Sequence, residues 1–258
     1  MGPLVAVGGI RVPGDKLRGL EIALDQLCAK AKFPPNEEFK WSPGRKDWMR
    51  EGLVEQSRTE FFLDALAIAR DAGAKAIVVM EDTRKAMARQ DSATHRDDVT
   101  MLFLERAQGD LRKDECALVV FDRPGGRPKD DTQFLTDAIA KIRTGTAYTK
   151  LEGLTLVLST DSKHARVLQL ADVVVACYTS YVGGESNWSP PVFTRGVLPM
   201  LREESGYRGG RGLKIHPDFR YGNLYHWLLG DTHIWRGSIG HPLPAKRLTA
   251  YHQSADVA

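Results

Sequence analysis

Apolar residues run along this chain in short β-branched blocks separated by stretches of helical spacing. The first block, Leu4 to Val12, is closed by the turn dipeptide Pro13-Gly14 and predicts a strand. From Asp15 to Lys32, apolar residues at Leu17, Leu20, Ile22, Leu24 and Leu27 approach a helical period, and Pro34-Pro35-Asn36 breaks the helix. The segment Glu37 to Ser42 lies between that break and Pro43-Gly44, and a further helix is predicted from Gln56 to Ala72. AIVVM at 76–80 and ALVVF at 117–121 read as strands of the buried type, ending in Glu81-Asp82 and in Asp122. Helices are predicted at Arg96–Leu111 and Thr132–Ile142, with a polar Gly/Pro loop from Arg123 to Asp130 between Asp122 and the second of them. LTLVL at 154–158 predicts a last strand. The stretch Arg166–Tyr181 is apolar almost all round and predicts a buried central helix.

Strands alternating with helices point to an α/β sheet packed on both faces, with ligands received at the carboxyl ends of its strands. Beyond Gly183 the composition turns to Gly, Pro, Arg and aromatics without a clear period. The expected organisation is an α/β domain over residues 1–182 and a loop-rich, Arg/aromatic-rich extension over 183–258 packed on it.

The net charge of +3 and the pI near 8.7 permit an anionic partner without demanding one. Cys28, Cys116 and Cys177 lie far apart with no metal-ligand spacing, which reads as buried reduced thiols in a cytoplasmic protein. The apolar run Val167–Val182 is interrupted by Gln169 and Asp172 and is too short to span a bilayer, so no membrane segment is expected. P-loop, GxGxxG, GxSxG and kinase signatures are absent.

Asp172 is the most informative residue. A carboxylate inside an apolar helix costs several kcal/mol, of order 3 or more, unless it is paired or bound to a metal. Gln169 lies one turn earlier on the same face. Asp122 ends an apolar strand, where it is either a site residue or a turn former. Asp161 and Ser162 precede the apolar helix and are candidates for its N-cap. Glu38 with Lys40 and Trp41 forms a compact acid, base and aromatic motif between two proline breaks. In the extension, Arg195, Arg202, Arg208, Arg211, Lys214 and Arg220 interleave with aromatics, the composition of a groove for a flexible nucleic-acid strand or of a solvated loop. Carboxylates are the hard ligands that hold Mg²⁺ or Mn²⁺ in phosphodiester hydrolysis.

In order, GGIRV, EFKWS, VVFDR and STDSKHARVLQLAD, followed by GLKIHPDF, resemble the family catalogued as domain of unknown function 3800. The resemblance runs over residues 4–220 and is dense only near these motifs. It implies an RNase H-like mixed sheet flanked by helices and a nuclease acting on DNA or RNA, in mobile-element or phage-defence settings. Carried over, the family's acidic positions fall on Glu38, Asp122 and Asp172. Lys40, Asp161, Ser162, Lys163 and Gln169 are neighbouring motif positions. The expected site therefore has Glu38, Asp122 and Asp172 as metal ligands, Asp161 as a substitute ligand and Lys40 as an orienting base. Arg123, Lys163, Arg208, Arg211 and Lys214 are expected to hold nucleic acid, and a protein partner or second copy is left open. Family members usually open with a strand ending Asp-Glu-Ser-Gly, which this sequence does not show, so a catalytically silent module that binds nucleic acid or a protein is the alternative.

Overall fold

The computed structural model describes residues 4–83, 92–123, 128–184, 188–216, 222–236 and 239–243. It is a mixed α/β structure. Strand β1 (Leu4–Arg11) pairs antiparallel with β2 (Lys75–Asp82), in register from Leu4 opposite Asp82 to Arg11 opposite Lys75. β2 is buried on both faces over nearly its whole length, as its unbroken AIVVM run requires. Between these strands, α1 (Gly14–Lys30), α2 (Met49–Gly52) and α3 (Glu55–Asp71) follow one another. After β2 come α4 (Ser92–Gly109), β3 (Ala117–Asp122), α5 (Pro128–Thr144) and β4 (Leu154–Thr160). β3 and β4 form a separate parallel pair that sets Asp122 opposite Thr160.

Helix α6 (Arg166–Gly183) packs across β1, and α4 covers the other face of that strand. The approach of α6 is close. A Cβ on Gly8 would sit 2.8 Å from the Ile77 carbonyl oxygen and 2.9 Å from Val175 Cγ2. The main core joins α1, α3, α6 and the β1–β2 sheet, while Leu104, Leu151 and Leu154 centre a smaller one beneath β3 and β4.

Two expectations change. The segment after Gly183 is more than a loop-rich cover. It supplies β5 (Leu213–His216), parallel to β2, and Leu213, Ile215, Leu224 and Tyr225 to the main core. The polar and Gly-rich residues around β5 hide its strand character, because four residues are too few to show a period. The strand β3 is also not doubly buried. Ala117, Val119 and Phe121 face the smaller core, whereas Leu118 and Val120, with Leu156 and Leu158 on β4, are exposed. Cys28 and Cys177 are buried free thiols, with burial pushing the Cys28 pKa up to about 11, but Cys116 is exposed. Among the described residues no helix is long and apolar enough to cross a membrane.

The crowding at Gly8 generates a stability prediction with an internal control. Gly8→Ala should destabilise by about 1–3 kcal/mol through overpacking between β2 and α6. Gly19→Ala, on the exposed face of α1 with nothing within 4 Å of the new methyl, should stabilise by about 0.5–1 kcal/mol. Urea unfolding of both variants checks the opposite signs.

Candidate functional site

The site begins with an extended segment held against a helix. Residues 37–41 form no regular element, so their backbone groups need outside partners. Helix α6 supplies them once per turn. Arg166 Nη1 donates to the Glu37 carbonyl at 2.7 Å, and the Phe39 N–H donates to Gln169 Oε1 at 3.3 Å. The Trp41 N–H donates to the Asp172 carboxylate. Phe39 and Trp41 are buried, Trp41 with its ring stacked on Trp188 at 4.1 Å. Alternation along an extended chain then turns Glu38 and Lys40 the other way, where they form an ion pair at 2.6 Å.

The amino end of α6 is fixed from elsewhere. Both carboxylate oxygens of Glu21 on α1 accept from the Arg166 and Val167 N–H groups at 2.9 Å, doing the work of an N-cap. Asp161 and Ser162 therefore do not cap α6. Asp161 instead caps the short 3₁₀ turn Ser162–His164, accepting from the Lys163 N–H, and pairs with Lys163 Nζ at 2.9 Å. That turn is tied to both sides of the site. The Ser162 N–H donates to Asp122 Oδ1 at 3.0 Å, and Gln169 Nε2 donates to the Ser162 carbonyl at 3.0 Å.

These bonds bring the end of β3, the middle of α6 and the 37–41 segment together. Asp172 lies within electrostatic range of Asp122, Lys40 and Glu38. Its helix is buried along one side by Leu170, Val173, Val174 and Cys177, but Asp172 is on the other side. The expectation of a fully buried Asp172 is thus corrected. Solvent reaches it, yet protein surrounds it closely enough to strip part of its hydration. That desolvation raises its pKa above the ordinary carboxylate value, the Trp41 N–H opposes the rise, and the neighbouring Asp122 and Glu38 charges reinforce it. Lys40 has its pKa raised, first by its hydrogen bond to Glu38, and so stays a firm ammonium ion.

Asp161 faces Lys163 and is not among the groups that act on Asp172. Arg123 and Lys163 flank Asp122, both more than half exposed. Arg208, Arg211 and Lys214 belong elsewhere. Arg208 pairs with Glu203 at 2.7 Å, Arg211 with Glu204 at 3.0 Å, and Lys214 is buried in β5. Arg208 and Arg211 are thus engaged by acids within the C-terminal segment, and Lys214 is turned inward, away from the nucleic-acid surface where they were expected. Arg220 lies outside the described residues. Sequence reasoning missed Arg166 and Glu21. The signal for Arg166 was its spacing, since Arg166, Gln169 and Asp172 recur every three residues in an otherwise apolar helix.

Oxygen donors and excess negative charge suit a hard divalent cation. The donor number falls short, because among the described residues no three His, Cys, Asp or Glu side chains converge as a metal-holding group. No family model matches this sequence, and neither a curated protein nor a solved structure matches it.

The raised pKa of Asp172 fixes the sign of a pH effect. A carboxyl that is harder to ionise when folded destabilises the fold once ionised, and the penalty vanishes when it is protonated. Asp172→Asn, still able to accept from Trp41, should therefore raise Tm at pH 7. The gain should shrink as the pH falls toward about 4, the ordinary aspartate value. Calorimetric melts across that range check it, and a gain that grows on acidification would show the sign to be wrong.

Proposed function

We propose that the chain is an RNase H-like module that hydrolyses phosphodiester bonds of DNA or RNA in the cytoplasm, using Mg²⁺ or Mn²⁺ held at Asp122 and Asp172. The observation that carries this reading is that Asp122, Glu38 and Lys40, from separate parts of the chain, lie within electrostatic range of Asp172. The resemblance of EFKWS, VVFDR and the DSK-to-LQLAD stretch to the family named above points the same way. A bound divalent ion would supply an activated water and charge stabilisation at the phosphoryl oxygens.

The protein's own contributions follow from its contacts. Trp41 and Ser162, through backbone N–H groups, orient Asp172 and Asp122. Gln169 locks the Ser162 turn and the 37–41 segment to one helix face. Lys40 would meet an anionic phosphate beside Glu38, and Lys163 and Arg123, paired with Asp161 and Asp131, lie past Asp122. With few donors in place, the affinity for the ion is expected to be weak.

A second reading has its own observation. Lys40 neutralises Glu38 at 2.6 Å, so a phosphate would have to compete with Glu38 for it, and an internal ammonium in place of an ion suits a module that binds nucleic acid without cleaving it. Calorimetric titration with Mn²⁺, run beside cleavage of an end-labelled oligonucleotide, separates the two. The enzyme reading expects weak metal binding and slow cleavage, with Asp122→Asn and Asp172→Asn each lowering the rate by about a hundredfold or more, near 3 kcal/mol at the transition state. Oligonucleotide binding with neither metal heat nor cleavage would establish the silent module instead.

A further inference from the structure

The turn that follows the Glu38–Lys40 motif is built onto it. Trp48 donates its N–H to Glu37 Oε1 at 2.7 Å, and the Lys40 N–H points to Met49 Sδ at 3.4 Å. Asp47 Oδ2 closes the turn by accepting from the Gly44 N–H at 2.7 Å, and the Asp47 charge acts on Lys40. The Trp48 ring lies so close over Gly52 that a Cβ there would come within 2.3 Å of it, while Phe33 packs against the ring at 4.8 Å. The turn is therefore fixed in position relative to Glu38, and through the α6 contacts relative to Asp172.

On this turn lies a cleft of about 570 Å³, open to solvent and lined by Arg45, Lys46, Asp47, Trp48, Glu51 and Gly52. Its size is that of a small-ligand pocket, about 300–1,000 Å³. Its lining carries two cations, Arg45 and Lys46, and two carboxylates, Asp47 and Glu51, of which Asp47 is engaged by Gly44. Arg45 and Lys46 are exposed and enter no ion pair among the described residues. They differ in this from Arg211 and Arg202, whose heads are tied to Glu204 and Asp110.

We propose that the turn at residues 44–52 is a binding site for the phosphodiester backbone of a nucleic-acid strand, gripped by Arg45 and Lys46 and held in fixed relation to Glu38 and Asp172. The proposal rests on the phosphodiester reading above and adds to it the place where substrate is held. The alternatives fit less well. Two solvated cations in an open cleft would bind a single small anion weakly, because water competes for each contact. A strand gains from every phosphate it neutralises through release of its counterions. Further cations lie along the way, Lys40 beside the turn and Lys163 and Arg123 beyond the acidic cluster, each paired with a carboxylate that a phosphate would have to displace.

The test is fluorescence anisotropy of a labelled single-stranded oligonucleotide of about 20 residues, titrated with the full chain in EDTA over a range of NaCl concentrations. Arg45→Ala with Lys46→Ala should weaken binding about tenfold at low salt. It should also flatten the plot of log affinity against log salt by about 1.4, near 0.7 for each lost phosphate contact. The control is Lys113→Ala with Lys150→Ala, two exposed lysines on the loops before β3 and β4, which removes the same charge and should bind like the parent. Equal affinity in parent and Arg45/Lys46 variant overturns the grip, as does equal loss in the control or no binding by the parent. Cleavage in Mn²⁺ is read separately. Binding that depends on Arg45 and Lys46 but is never followed by cleavage leaves the grip standing and removes the hydrolytic reading.

Discussion

Everything at the site depends on α6 presenting a polar side chain once per turn to a piece of chain that has no sheet or helix of its own. The 37–41 segment must leave its backbone groups in a poorly hydrated place, and an unsatisfied buried group costs about 1–3 kcal/mol. Arg166, Gln169 and Asp172 meet that need at Glu37, Phe39 and Trp41. Gln169 is the hinge of the arrangement. Its Oε1 accepts from both Phe39 and Arg166 while its Nε2 donates to Ser162, so one buried amide couples α6, the extended segment and the turn that holds Asp122. A satisfied buried network of this kind specifies one geometry, because any slip breaks several bonds together.

The placement of the two cores explains why the acidic residues meet. Asp172 belongs to the helix that covers the β1–β2 sheet, and Asp122 to a strand pair built over a different, smaller core. The site lies where these two units adjoin. The Ser162 turn bridges them, hydrogen-bonded to Asp122 on one side and to Gln169 on the other. On β3, the fixed register opposite β4 sets Asp122 at the carboxyl end of the pair, the end at which open α/β sheets receive ligands.

Much of this was legible in the sequence, and what was not has identifiable causes. The unbroken apolar runs gave β2 and β4 their places, and the acid-bearing motifs named Glu38, Asp122 and Asp172 before any contact was known. Their mutual approach is a tertiary fact that no local period encodes. The helix of Asp172 misled because Val175 is apolar for a second reason, its contact with Gly8 on β1, so the helix looked buried all round. The cations of the extension misled in the opposite way. Arg208 and Arg211 have their partners, Glu203 and Glu204, within a few residues, and those acids neutralise them inside the molecule. Charge counted along a chain does not reveal which charges face water. Arg45 and Lys46, in a short turn with an ordinary composition, are exposed cations that the charge pattern did not single out.

The charge balance at the centre sets what the site can attract. Three carboxylates, on Glu38, Asp122 and Asp172, are countered by one ammonium and two backbone N–H groups. Lys40 answers Glu38 directly, so the residual negative charge is concentrated on Asp122 and Asp172, where it adds to the desolvation that raises the pKa of Asp172. A proton, a divalent ion and the Lys40 ammonium all relieve that charge, and each weakens the hold of the others. Any cation that draws Glu38 into its own coordination must first displace Lys40, which pairs with it at 2.6 Å. The freed ammonium would then be available to a phosphate arriving beside it. Under the hydrolytic reading proposed above, occupancy by metal and attraction for an anionic strand would reinforce each other through a single ion pair.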